Sequence, residues 1–159
     1  MTEFTFNAAN EAATDRFGAA LAAVLPPGTT VALIGTLGAG KTRLVQAIAA
    51  ASGVSRGDVV SPTFVLCQQY VGSSTINHLD AYRIRDEDEL RELGFEELLA
   101  TRAITIIEWA DRVASALPDD YIQVEIMVTG PTSRQFVVRV IGEQYEPVIG
   151  ALARSASAQ

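Results

Sequence analysis

Residues Gly35–Thr42 read GTLGAGKT and match G-x-x-x-x-G-K-[ST] at every fixed position. Glycines let the backbone curl until successive N–H groups point inward at phosphate oxygens. A helix opening at the end of such a loop adds unpaired N–H groups and the positive end of its dipole, both favourable to an anion. Lys41 can then reach the β- and γ-phosphates, and the Thr42 hydroxyl can ligate Mg²⁺. The flanks agree with this reading. Thr30–Ile34 (TVALI) is the β-branched, apolar run of a strand buried on both faces, and TRLVQAIAAAS after Lys41 reads as a helix stopping near Gly53.

Lys41 is the only lysine; every other basic side chain is arginine. Arginine substitutes for lysine where charge alone counts, but a planar guanidinium is a poor replacement for a compact ammonium inserted between phosphates. The chain therefore reads as a binder of a nucleoside triphosphate or its diphosphate. The guanine-specific pattern [NT]-K-x-D needs a second lysine, so the sequence points to ATP.

Outward from the loop, Glu3–Phe6 reads as a short strand and Asn10–Val24 as a helix capped by Asn10. Phe64–Val71 and Thr75–Leu79 read as strands joined by Gly72-Ser73-Ser74. Asp86–Ala100 reads as one helix with an acidic first turn that complements its dipole. Ala103–Ile107 is a second buried-type strand, and the helical piece after it ends by Pro118. Ile122, Val124, Ile126 and Val128 alternate with polar or intermediate residues, and Phe136, Val138 and Val140 continue the alternation after the turn at Gly130–Ser133. The fold class is α/β: a P-loop NTPase-like three-layer sandwich, its central sheet mostly parallel with an antiparallel C-terminal hairpin. Residues 1–150 read as one domain, and Ala151–Gln159 as a small, polar tail expected to fray.

Hydrophobic residues make up 48% of the 159, enough for a core, and no apolar run reaches the roughly 18 residues of a membrane span. MTEFTFNAANEAATDRF does not resemble a signal peptide, and the cytoplasm is the expected compartment. Cys67 stands alone, which excludes an internal disulfide and a cysteine-based zinc site. The net charge of −7 argues against independent nucleic-acid binding, because phosphate neutralisation needs a basic face.

A phosphate-binding loop needs an acid from a neighbouring strand end to hold Mg²⁺ or orient water. Glu108 closes AITIIE and Asp80 closes TINHLD, two strands of the required shape; spacing does not say which acid takes which task. His78, the only histidine, reads as a buried, hydrogen-bonded structural residue. Trp109 suits either core packing or shielding of the site, and the hydroxyls of Ser61-Pro62-Thr63 could sense a γ-phosphate.

GTLGAGKT, SPTF, HLDAYR, ELGFEELL and IIEW, in this order and spacing, resemble the bacterial TsaE family from about Thr14 to Arg134. These are small P-loop ATPases required for the threonylcarbamoyladenosine modification of tRNA. The resemblance implies an α/β fold and an ATPase that docks on the TsaB and TsaD subunits and meets tRNA only through them. It implies ATP and Mg²⁺ as cofactors, with the metal at Thr42 and Glu108 and catalytic roles for Lys41, Asp80 and Glu108. It places the nucleotide against Leu37, Gly38, Ala39, Gly40, Lys41 and Thr42, with Thr14 near the base and Arg134 near the nucleotide. Thr36 stands where the family usually has aspartate, which removes any carboxylate role there. A P-loop kinase for a small acceptor and a nucleotide-gated adaptor without required turnover are the competing readings.

Overall fold

The computed structural model describes residues 3–36, 38–59 and 67–157. Leu37, the Ser61-Pro62-Thr63 turn and the start of the expected strand at Phe64 lie outside the described residues.

Seven strands form one sheet: β1 (Glu3–Ala8), β2 (Thr30–Gly35), β3 (Cys67–Val71), β4 (Thr75–Asp80), β5 (Ile104–Glu108), β6 (Tyr121–Val128) and β7 (Arg134–Ile141). Their spatial order is β1-β7-β6-β2-β5-β4-β3. The central pairings β6–β2, β2–β5 and β5–β4 are parallel, while β3–β4, β6–β7 and β7–β1 are antiparallel. The antiparallel C-terminal hairpin is present, and its mate at the opposite edge is the β3–β4 hairpin. Side-chain alternation explains why β2 and β5 are so apolar. Val31, Leu33, Ile104 and Ile106 feed one core, and Ala32 and Ile107 feed the other.

The first core lies under α1 (Glu11–Val24), α2 (Lys41–Ala51) and α5 (Glu146–Ser157). The Asn10 side chain accepts a hydrogen bond from the Ala13 N–H at 2.9 Å, as the cap reading requires. Phe17 stacks between Phe6 and Phe136, at centroid distances of 5.2 and 4.5 Å, tying α1 to β1 and β7. The expected frayed tail is a correction. α5 runs to Ser157, and Leu152 is fully buried, because its apolar face with Val148 and Ile149 covers the sheet where β1 and β7 meet.

The second core lies under α3 (Glu87–Glu92), α4 (Phe95–Leu99) and a 3-10 segment, Ala110–Ala116. Here the structure corrects the single helix expected over Asp86–Ala100. The chain breaks at Gly94, whose φ of 81° is left-handed and ends α3 before α4 begins. Asp86 caps α3 as its sequence suggests, accepting from the Glu89 N–H at 2.9 Å. Among the described residues, no helix is long and apolar enough to cross a membrane.

Helix α1 lies directly on α2, with Gly18 facing Ala47. A methyl group at Gly18 would overlap the Ala47 Cβ and crowd its backbone. Gly18→Ala is expected to destabilise the protein by about 1–3 kcal/mol, the usual cost of overpacking. Urea denaturation measures it, with Ala19→Gly on the same helix as the control.

Candidate functional site

Three parallel strands, β2, β5 and β4, end side by side, and their C-terminal ends carry Gly35, Glu108 and Asp80. Open sheets bind ligands at this edge. After Gly35 the chain turns through Gly38 and Gly40, at φ 80° and 101°, conformations that L side chains rarely adopt. Gly40 caps α2 without a side-chain hydrogen bond, which leaves the N–H groups at the helix start unused by the cap residue.

Lys41 is the first residue of α2 and only 5% exposed. Its ammonium donates to the Gly35 and Thr36 carbonyls at 2.8 and 2.9 Å and sits 3.9 Å from the centre of the Trp109 ring. Burial pulls its pKa below the ordinary 10.5, while the charges of Glu108, Asp80 and Asp111 pull the other way. The Thr42 hydroxyl donates to both Glu108 oxygens, at 3.1 and 3.2 Å. Asp80 lies in register beside Glu108, and the Ala81 N–H donates to the Glu108 carbonyl at 2.9 Å, which locks the two strand ends together. Asp80 Oδ1 also accepts from the Tyr82 N–H at 2.9 Å. Both acids are almost fully buried.

These groups line a cavity of about 410 Å³ that also includes Tyr82, Arg83 and Trp109. Trp109 turns the chain out of β5 with φ 60°, the one described non-glycine residue in the left-handed region. Such a conformation costs about 1–3 kcal/mol and needs surrounding structure to hold it. Here the ring packs against Tyr82 at 4.9 Å as well as under Lys41, so Trp109 walls the cavity and touches the second core at once. A larger hollow of about 660 Å³ lies at the opposite end of the sheet, lined in part by Leu25, Thr75 and Arg102. None of the residues that line it is an acid, whereas Asp80 and Glu108 both line the smaller cavity.

On the other side of the loop, Thr14, Ala39, Gly40, Arg43, Thr132 and Arg134 line a hollow of about 170 Å³. Thr14 and Arg134, far apart in sequence, thus meet beside the glycine-rich loop. Arg134 does more than face the hollow. Its guanidinium donates to Ala39 O at 2.8 Å, Ser133 O at 2.8 Å and Gly130 O at 3.0 Å, pinning the loop to the β6–β7 turn.

Two features escape sequence reasoning. Asp15 on α1 accepts from Arg43 through both oxygens, at 3.2 and 3.0 Å, and from Arg56 at 3.0 Å. Partial burial would raise its pKa, but the hydrogen bonds and charges of Arg56 and Arg43 outweigh it and hold the carboxyl below its ordinary 3.8. His78 is fully buried as expected, but its partner is a site acid. His78 Nε2 lies 2.5 Å from Glu108 Oε2, and Nδ1 lies 2.9 Å from the Tyr70 hydroxyl. Parity carries the only sequence signal. His78 and Asp80 are two apart in one strand and therefore share a face, but only the strand order puts Glu108 on it too.

The donor set suits Mg²⁺. The cation takes hard oxygen ligands, keeps several waters and is held through one or two carboxylates plus phosphate oxygens. Thr42, Glu108 and Asp80 supply a hydroxyl and carboxylates at one edge. The described residues contain no cluster of three or more His, Cys, Asp or Glu that would form an all-protein cage.

Comparison with known proteins gives a consistent picture. The family model described as threonylcarbamoyl adenosine biosynthesis protein TsaE matches residues 8–136. The tRNA threonylcarbamoyladenosine biosynthesis protein TsaE of Bacillus subtilis (strain 168) is 32% identical over 155 residues, 97% of this chain and 96% of the relative. Its counterpart in Treponema pallidum (strain Nichols) is 34% identical over 125 residues, covering 79% of this chain and 92% of its own. Among solved structures, that of Bacillus subtilis YdiB superposes with a TM-score of 0.82 at 26% identity, covering 98% of both chains.

The Asp15 cluster generates a pH-dependent expectation. A carboxyl held below its ordinary pKa stabilises the fold above the unfolded value and loses that contribution as pH falls through the folded value. Asp15→Asn is expected to be less stable than wild type at pH 7. The gap closes as pH drops below about 3.8, the ordinary value for this carboxyl. Urea midpoints of both proteins across an acid pH series read the effect.

Proposed function

The chain belongs to the TsaE family of threonylcarbamoyl adenosine biosynthesis proteins, and on that premise we propose that it is a Mg²⁺-dependent ATPase serving the threonylcarbamoyladenosine modification of tRNA. The observation that carries the proposal is the single cavity in which Lys41 and Thr42, at the start of α2, meet Glu108 and Asp80 from two parallel strand ends.

Each residue has a task that its position supports. The N–H groups at the α2 start and the Lys41 ammonium bind the phosphate tail, and the charges of Glu108, Asp80 and Asp111 oppose the effect of burial on the lysine. Mg²⁺, when bound, neutralises charge on the β- and γ-phosphates. Thr42 and Glu108 would hold it, since hydroxyl and carboxylate already converge. Asp80, beside Glu108 but outside the Thr42 hydrogen bond, is placed to orient the attacking water. Trp109 and Tyr82 narrow the cavity and limit bulk water around the phosphates. On the other side of the loop, the hollow with Thr14 and Arg134 is the place for the base and sugar.

The substrate of the pathway is reached through partners. A chain of net charge −7 is poorly suited to hold tRNA by itself, whereas a subunit docked on TsaB and TsaD need not touch the RNA. On this reading, turnover is expected to be slow for the protein alone and faster on the partner complex.

Phosphate release from ATP, measured for the protein alone and with the partner subunits and tRNA, tests the reading. Glu108→Ala and Asp80→Ala are each expected to lower stimulated release by about 10²-fold or more, in the range found when one transition-state contact is removed. Lys41→Ala is expected to weaken ATP binding by at least about tenfold in calorimetry, the equivalent of about 1.4 kcal/mol. Phosphate appearing on a small metabolite would replace the ATPase with a kinase. Modification that proceeds with ATP bound but without turnover would replace it with a nucleotide-gated adaptor.

A further inference from the structure

The site contains a buried histidine that the reading above leaves without a task. His78 is fully buried on β4, one strand in from the sheet edge, and touches Glu108, not solvent. Burying an imidazole costs free energy unless both ring nitrogens are paired, and a leucine or isoleucine would fill this strand position more cheaply. Both nitrogens are paired, one with Glu108 and one with Tyr70. The Tyr70 hydroxyl in turn lies 3.1 Å from Gln68 Oε1.

We infer that His78 is the positioning residue for Glu108, aiming its carboxylate at the metal-binding edge. Free rotation about the glutamate side chain would let the carboxylate turn away from Thr42. Two donors from different elements prevent this. Thr42 approaches from α2 and His78 from β4, and the two bonds fix the carboxylate plane. A carboxylate only accepts, so His78 Nε2 carries a proton and donates to Glu108 Oε2, while Nδ1 pairs with the Tyr70 hydroxyl. Tyr70, whose hydroxyl also donates to Gln68 Oε1, holds the far side of the ring and so fixes the direction in which Nε2 points. The chain Tyr70–His78–Glu108–Thr42 runs from the edge strand β3 to the first turn of α2.

Parity brings His78 to the face that carries Glu108, and its place along β4 keeps it out of the cavity. It lies two residues before Asp80, one step back from the strand end, and is absent from the cavity lining. Its effect is therefore indirect. Outer partners of metal-binding side chains typically change metal affinity or activity by about 10–100-fold when removed.

The inference rests on Glu108 as a metal-side acid, and its test separates the two claims. Trp109, the only tryptophan, adjoins Glu108 and offers a fluorescence signal for Mg²⁺ titration of the ADP-bound protein. Two polar replacements divide the histidine's bonds. His78→Gln can still present an N–H near the Nε2 position, whereas His78→Asn reaches only to the Nδ1 position and leaves Glu108 without that donor. His78→Asn is expected to need about tenfold or more Mg²⁺ for half-saturation and to lose kcat in phosphate release. ADP affinity in EDTA should stay within about twofold of wild type. His78→Gln is expected to recover most of the Mg²⁺ affinity. Tyr70→Phe, which keeps the ring and its packing, is expected to fall between wild type and His78→Asn, and it carries the test should His78→Asn not fold.

Asn and Gln variants that lose Mg²⁺ affinity equally, or folded Asn and Phe variants that keep wild-type affinity, would overturn the role of His78. A purely structural histidine would shift the urea midpoint of the variants and leave the Mg²⁺ titration in place. Wild-type protein whose ADP affinity is the same with and without Mg²⁺ would instead overturn Glu108 as a metal-side acid, and the inference with it.

Discussion

The hydrogen bond from the Thr42 hydroxyl to the Glu108 carboxylate joins residues 66 positions apart and fixes how the two halves of the site face each other. It can form because β2 and β5 are neighbouring parallel strands. Parallel pairing puts both C-terminal ends at one edge, and the helix that follows β2 starts there with Thr42 in its first turn. β4, the next parallel strand, delivers Asp80 in register with Glu108. Shifting β4 by one residue would turn Asp80 and His78 to the opposite face, since successive side chains alternate. The apolar residues on both sheet faces resist that slip, so the cores protect the register on which the site depends.

The site concentrates buried charge. Lys41, Asp80 and Glu108 are each at most 5% exposed, and His78 is fully buried beside them. No described buried side-chain polar atom lacks a hydrogen-bond partner, so the desolvation cost is offset locally. Lys41 is held by two carbonyls and an aromatic face, and Glu108 by a hydroxyl and an imidazole. Each of these contacts also fixes direction, which is what a site that acts by positioning and electrostatics requires. Arg134 and the Asp15–Arg43–Arg56 cluster extend the same logic outward, one pinning the loop backbone and the other tying α2 to α1.

Much of the fold was legible because its signals are local. Strand TVALI, the Asn10 cap, the alternation in YIQVEIMV and the acid-capped start of α3 each depend on neighbours within a few residues. The misreadings share a cause. ELGFEELL has helical composition on both sides of Gly94, and nothing local distinguishes a tolerated glycine from one at φ 81°. The segment from Ala151 is small and polar by composition, but Leu152 is buried because α5 finds the meeting of β1 and β7, an event far away in sequence.

By itself the sequence determined the G-x-x-x-x-G-K-[ST] pattern between β2 and α2, since that signal is contiguous and rests on its own glycines and the helix it opens. It also determined that two strands would end in acids. Only the tertiary structure decided that these strands adjoin, that Glu108 is shared by Thr42 and His78, and that Arg134 braces Ala39. Strand order is set by which faces can be buried together over the whole chain, and a linear pattern does not encode that choice at any one position.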